Sequence, residues 1–195
     1  MSNGDSLRMG KILLERIREA CAAAQFVRFE HAFEAGFNRG YVLDVGKEFF
    51  LFAMVDDTIR FDGFQCMRMK DVRKFREDPY AEFAAAALRA RKESIARKPK
   101  VTVGSVAEIL LSISKISSLV TIHRHKVKPD SCWIGKAIEV TDREVLLLEI
   151  GPDAKWDKKP TKFRLKEITE VEFGGGYEEA LLLVGGEPAK LKTKD

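Results

Sequence analysis

The chain has 195 residues, 45% of them hydrophobic, and a net charge of +4 from 34 basic and 30 acidic residues. It is long enough to bury a core without disulfides or metals. Its basic and acidic residues are too nearly balanced for a protein whose whole surface binds nucleic acid. Its apolar runs are too short for a membrane helix. Its polar first residues and three widely spaced cysteines argue against a secretion signal and a disulfide framework, so we expect a cytoplasmic protein without membrane association.

Helical and strand-like segments alternate along the chain in two cycles. A helix is expected from Met9 to Ala24, where apolar residues recur at helical spacing. Short aromatic and β-branched segments separated by glycines follow, and they predict antiparallel strands. The alanine-rich segment from Tyr80 to Ala96 predicts a second helix, with Pro79 in its first turn. Ser105-Val106-Ala107-Glu108 is a capping box that opens a third helix, and five further strand-like segments end at Phe173.

The second cycle repeats the first. Gly40 corresponds to Gly135 and Arg68 to Arg164, at a spacing of 95 or 96 residues. Chance alignment of two β-rich halves is the alternative, but the helix, the glycine and the charged turn recur in one order, which favours duplication. The third strand of each cycle is apolar and is expected in the core, with these buried residues: Phe49 or Phe50, Leu51, Leu146 and Leu148.

The order of these elements resembles the Sm and Sm-like family over residues 9–75 and 105–173. Gly40 and Gly135 match the family's glycine that lets the second strand bend, and Arg68 and Arg164 match its arginine before the last turn. The resemblance implies an α+β, mainly β fold of two tandem Sm-like small β-barrels, each preceded by an α-helix, with a helical linker between them. The corresponding boundaries are a disordered tail (1–8), a first repeat (9–78), a helical and basic linker (79–104), a second repeat (105–184) and a polar tail (185–195).

The residues that read uridine in RNA-binding members of this family are replaced. Phe50 and Val145 stand at the asparagine position of the loop before the third strand, and Met69 and Leu165 replace the glycine after the arginine. Apolar side chains cannot hydrogen-bond a base edge. We therefore expect any RNA or DNA binding to be weak and sequence-tolerant.

A dense basic segment between residues 89 and 100 is the main functional lead. On a helix it could lay a positive stripe along a phosphate backbone, although a solvated linker helix is the alternative. The two motif arginines either contact phosphate or pair with a nearby Asp71 or Glu167. The candidate nucleic-acid-binding residues are Arg89, Arg91, Lys92, Arg97, Lys98, Lys100, Arg68 and Arg164.

No sequence pattern identifies a reaction. His123 and His125 would share one face of a strand, with Cys132 nearby, but this set is short of zinc ligands and we expect no metal there. Motifs for a nucleophile elbow, a phosphate loop or a zinc-protease helix are missing, and Gly174-Gly175-Gly176 is expected to be a connector. We therefore expect no catalytic residue and no cofactor.

These observations favour a non-enzymatic interaction module, associated with nucleic acid through a basic surface. Its partner would be RNA, another protein, or a second copy that pairs through strand edges. The alternative is a small-molecule-binding protein or an enzyme whose site lies between the two barrels.

Overall fold

The computed structural model describes residues 3–33, 35–93 and 98–189, with side chains from residue 10 onward. The helices in this part of the chain are α1 (Asn3–Ala22), α2 (Ala81–Ala90), α3 (Val106–Ile113) and α4 (Gly176–Gly185). The strands are β1 (Phe26–His31), β2 (Asn38–Val45), β3 (Phe49–Val55), β4 (Phe61–Arg68), β5 (Val72–Glu77), β6 (Val120–His123), β7 (Cys132–Val140), β8 (Glu144–Glu149), β9 (Thr161–Arg164) and β10 (Glu170–Phe173). Among these described residues, no helix is long and apolar enough to cross a membrane.

All ten strands belong to one antiparallel sheet, in the order β5-β1-β2-β3-β4-β10-β6-β7-β8-β9. Each half contributes five neighbouring strands in the same order, because its last strand lies beside its first. A 3₁₀ turn precedes the last strand of both halves, at Met69–Asp71 and Leu165–Glu167. The halves meet where β4 pairs with β10, with Cys66 opposite Val171. The element order thus repeats in the two halves.

The prediction of two separate small barrels is wrong, although the mainly β, α+β class is confirmed. The sheet is open and continuous, since β10 pairs with the free side of β4 and extends the sheet into the second half. The largest hydrophobic cluster also crosses the boundary. In it, Ile109 of α3 lies with Leu51 from the first half and with Leu147 from the second. One large cluster thus buries apolar residues of both halves, while a second cluster around Phe29, Phe50 and Met67 lies within the first half alone.

The two motif glycines occupy matching close approaches in the sheet. A Cβ on Gly40 would lie 1.9 Å from the carbonyl oxygen of Ala53, and one on Gly135 would lie 2.2 Å from that of Leu148. The pairing register shifts a few residues beyond each glycine, in β2 and in β7. Bending of the second strand at a glycine therefore recurs in both halves.

The apolar third strands lie in the core as predicted, with one exception. Phe49, Phe50, Leu51 and Leu148 are buried, whereas Leu146 is only half-buried. Successive side chains of a strand point to opposite faces, and the flanking residues Val145 and Leu147 occupy the main core. Leu146 therefore faces the other side of the sheet.

Candidate nucleic-acid interface

The basic segment 89–100 does not continue α2 in the described residues. The predicted helix to Ala96 was too long, because α2 ends at Ala90 and Lys92 adopts a left-handed backbone conformation with φ +59°. The amide of Lys92 donates to the carbonyl of Arg89 and that of Glu93 to Leu88, which closes the helix with a Schellman motif. Arg89 is the last of the candidate cations on the helix, and Arg97 lies outside the described residues.

Two cations of this segment are bound within the protein. The guanidinium of Arg91 donates to the carbonyl oxygens of Thr58 and Ile59, the latter at 2.8 Å. The Nζ atom of Lys98 lies 2.9 Å from a carboxylate oxygen of Asp44. Arg89, Lys92 and Lys100 are exposed. The segment therefore offers fewer available cations than its sequence indicates.

The two motif arginines differ in environment although they occupy equivalent turns. Arg68 is buried, donates from Nη2 to the carbonyl oxygen of Ile168 at 2.5 Å and lies over the ring of Phe49. Arg164 is exposed, and its Nη1 is 3.8 Å from a carboxylate oxygen of Glu167. Arg68 therefore joins the two halves of the sheet, whereas Arg164 remains accessible to solvent.

A groove with a volume of about 840 Å³ lies between α1 and the outer edge strand β5. Among the side chains that the structure describes, its lining includes six exposed basic residues and one carboxylate, that of Glu48. We call this surface the basic groove, and its exposed cations are Arg16, Lys47, Lys70, Arg73, Lys74 and Arg76. Arg68 lines its inner end.

Most of the positive charge of the basic groove is uncompensated. Lys74 lies 2.8 Å from a carboxylate oxygen of Glu30, and their hydrogen bond lowers the pKa of that carboxyl group. Arg76 is 3.9 Å from the same carboxylate. The other four cations make no ion pair with any carboxylate in the part of the chain that the structure describes. An anionic ligand would therefore meet cations that have no competing partner.

The floor of the basic groove is apolar. Ile12 and Leu14 contribute from α1, and Met69, Val72 and Phe75 from the opposite side. Among the described side chains, no amide or hydroxyl lines the groove, so its polar groups are mainly cations suited to phosphate. Its chemistry fits a polyanion bound without sequence discrimination.

The second half has a smaller recess at the equivalent place, with a volume of about 300 Å³. Both recesses lie between the turn before the third strand and the 3₁₀ turn before the fifth. Arg143, Arg164 and Lys166 line the second one together with the carboxylates of Asp142 and Glu144. Its charge is nearly balanced, so the recess of the first half is the stronger anion site.

Sequence reasoning missed the basic groove, although part of its signal was visible. Residues 70–76 include four cations, a density similar to that of segment 89–100. Arg16 and Lys47 could not be added to them, because only the packing of α1 against β5 and the neighbouring turn brings these residues together.

Comparison with protein-family models, with curated proteins and with solved structures found no significant match.

Proposed function

We propose that this protein is a non-enzymatic module that binds the phosphate backbone of nucleic acid in the basic groove. The observation that carries the proposal is the placement of six exposed cations and one carboxylate around a single groove. Lysine and arginine side chains attract phosphates and release their counterions, which gives affinity that is steep in salt concentration. Phosphate contacts fix no base identity, so binding is sequence-tolerant.

The resemblance to the Sm-like family supports the same surface. RNA-binding members resemble one another in the loop before the third strand and in the turn before the fifth. In this chain Lys47 and Glu48 lie in the turn before the third strand, and Arg68, Met69 and Lys70 lie at the turn before the fifth. All five line the basic groove. The proposal includes kinship with that family, whose unit is a helix followed by five strands.

Charge reversal in the groove, matched by an equal reversal elsewhere, tests the proposal. The groove variant carries Arg16→Glu, Lys70→Glu and Arg73→Glu, and the control carries Arg89→Glu, Lys92→Glu and Lys100→Glu. Both lower the net charge by the same amount, so a difference between them reports position. Fluorescence anisotropy with a labelled single-stranded RNA of mixed sequence, near 50 mM salt, measures the affinity.

We expect the groove variant to bind more than about tenfold more weakly than the parent, and the control variant to lose no more than about threefold. The parent should also lose most of its binding when salt is raised to roughly 200 mM. Equal losses in both variants would contradict the proposal. Absence of binding by the parent would also contradict it, and would leave the cations of β5 as protection of an exposed sheet edge.

A further inference from the structure

All three histidines of the chain gather where the two halves of the sheet meet. His123 ends β6, His125 follows it, and His31 ends β1 in the first half. The rings of His123 and His125 stack with centroids 4.9 Å apart, and Phe33 stacks on the other side of His125 at 4.7 Å. The ring of His31 is 5.7 Å from that of His125. Residues distant in sequence therefore form one cluster of imidazoles.

Two carboxylates of β10 face this cluster. Glu170 lies directly opposite His123 in the pairing of β10 with β6, and Glu172 is two residues further on the same face. The Nε2 atom of His123 is 3.3 Å from a carboxylate oxygen of Glu172. One ligand atom from each of His123, Glu170 and Glu172 lies within 4.8 Å of the other two.

Neighbouring hydrogen bonds hold these side chains in place. Gln65 of β4 donates to one carboxylate oxygen of Glu170, while the other oxygen lies 4.0 Å from Nε2 of His125. The hydroxyl of Thr169 donates to the carbonyl oxygen of His123, so it accepts from Nδ1 of His125 at 2.7 Å. The hydrogen bond between Nδ1 and Thr169 fixes the ring of His125, with its Nε2 atom on the side of Glu170.

Two adjacent carboxylates in a largely buried place are stabilised as anions by a nearby positive charge. Glu170 is only 3% exposed, and the side chain of Glu172 is 23% exposed. Two carboxylate groups and an imidazole nitrogen thus converge in a place with little solvent, an arrangement that suits a cation.

We infer that His123, Glu170 and Glu172 form a site for a divalent first-row transition metal ion on β6 and β10 of the second half, beside the junction with β4. Zinc bonds of about 2.1 Å in tetrahedral geometry place ligand atoms about 3.4 Å apart, close to the 3.3 Å between His123 and Glu172. The ligand atom of Glu170 lies within 4.8 Å of both of the others. One imidazole with two carboxylates favours zinc, manganese or cobalt over magnesium and calcium, which prefer oxygen ligands alone.

This ligand set differs from the one considered from the sequence. Cys132 lies opposite His123 in the pairing of β6 with β7, but it is exposed, whereas Glu170 and Glu172 approach from β10 on the other side of β6. The expectation of no metal at His123, His125 and Cys132 concerned a set that lacks these two carboxylates. Metal binding by the Cys132→Ser variant therefore distinguishes a site that contains Cys132 from the site formed by His123, Glu170 and Glu172.

The test uses the full, tag-free chain after treatment with a chelator. Calorimetric titration with Zn²⁺ measures stoichiometry and affinity, and the visible absorption of added Co²⁺ reports nitrogen and oxygen ligands. Glu172→Gln keeps the size of the side chain and removes the charged ligand, and His123→Gln removes the nitrogen ligand. Cys132→Ser and Glu167→Gln serve as controls, since Glu167 pairs with Arg124 instead of entering the site. Circular dichroism verifies that each variant is folded.

We expect one Zn²⁺ per chain, at least about tenfold weaker binding in Glu172→Gln and His123→Gln, and no change in the controls. Magnesium at the same concentration should not compete. Fewer than about half an equivalent of zinc bound by the parent would overturn the inference, whether or not the variants fold. Stoichiometric binding that survives Glu172→Gln, or that is lost in Cys132→Ser, would overturn it as well.

Discussion

At the scale of single residues, Arg68 and Arg164 show how one motif position acquires two roles. The guanidinium of Arg68 is buried at the junction and donates to the carbonyl of Ile168, while Arg164 extends into solvent. We predict that Arg68→Met lowers the free energy of unfolding by about 2 kcal/mol, because it leaves a buried carbonyl without its charged donor. Arg164→Met should change it by less than about 0.5 kcal/mol.

Urea denaturation of the two variants measures this difference. Methionine retains most of the aliphatic stem, so the comparison isolates the guanidinium group. Similar losses in both variants would mean that the contact with Ile168 does not stabilise the junction.

The glycines of the second strands give another prediction at this scale. Gly40→Ala and Gly135→Ala each place a methyl group against a backbone carbonyl, and Gly40 also has a φ of +149°. We expect each change to destabilise the protein by about 2–4 kcal/mol, measured as a lowered melting temperature. Gly10→Ala on α1 is the matched control, because a Cβ at Gly10 would have no atom within 4 Å. Alanine at this position should stabilise the helix slightly. Tolerance of alanine at both strand positions would contradict the close approach.

Residue-level prediction from the sequence succeeded where the cause was local. The bend at Gly40 and Gly135 could be predicted, because a missing Cβ is a property of the residue itself. The roles of Glu170 and Glu172 could not, because β10 sits between β4 and β6, and only that non-local pairing places the carboxylates beside the histidines.

At the scale of elements, the C-terminus of α2 is set by a residue poorly suited to its conformation. Lys92 holds the left-handed position of the Schellman motif, where glycine is usual. We predict that Lys92→Gly raises the free energy of unfolding by roughly 0.5–1 kcal/mol, since glycine adopts this conformation without strain.

Arg89→Gly provides the control, since it removes a cation from the last turn of the same helix. It should destabilise the protein by about 0.5–1 kcal/mol. Chemical denaturation of both variants therefore yields opposite signs if the helix ends as described. A loss of stability in both would place Lys92 in ordinary helical conformation instead.

Most elements could be predicted because their hydrophobic periodicity is strong. The third helix and its capping box are an example: Ser105 accepts a hydrogen bond from the amide of Glu108, as the pattern indicates. The extent of α2 was wrong, because alanine-rich sequence favours helix beyond Ala90 and offers no glycine or proline to mark the left-handed residue.

At the scale of the whole molecule, the two halves share a sheet and a core, so we predict that they unfold together. Both tryptophans, Trp133 and Trp156, lie in the second half, and their fluorescence reports that half alone. Circular dichroism reports the sheet and helices of both halves. Coincident thermal transitions by the two probes are expected, and a separate earlier or later fluorescence transition would indicate independent domains.

The repeat was visible in the sequence, but the way the copies join was not. Spacing, glycines and charged turns recur along the chain, whereas the pairing of Cys66 with Val171 connects residues far apart in sequence. No local sequence pattern shows whether a strand pairs only within its own half or also with a strand of the other half. The basic groove could not be predicted for the same reason, because α1, the turn at Lys47 and β5 come together only in the folded protein.

Ultraviolet cross-linking of the protein to single-stranded RNA, followed by mass spectrometry of its peptides, tests most directly whether the basic groove is the nucleic-acid interface. The groove and the segment 89–100 lie in different peptides, so the sites of attachment distinguish them. We predict cross-links within residues 10–16 and 68–76, which are lost as salt is raised. Cross-links confined to residues 89–100, or attachment that is indifferent to salt, would contradict the proposed interface.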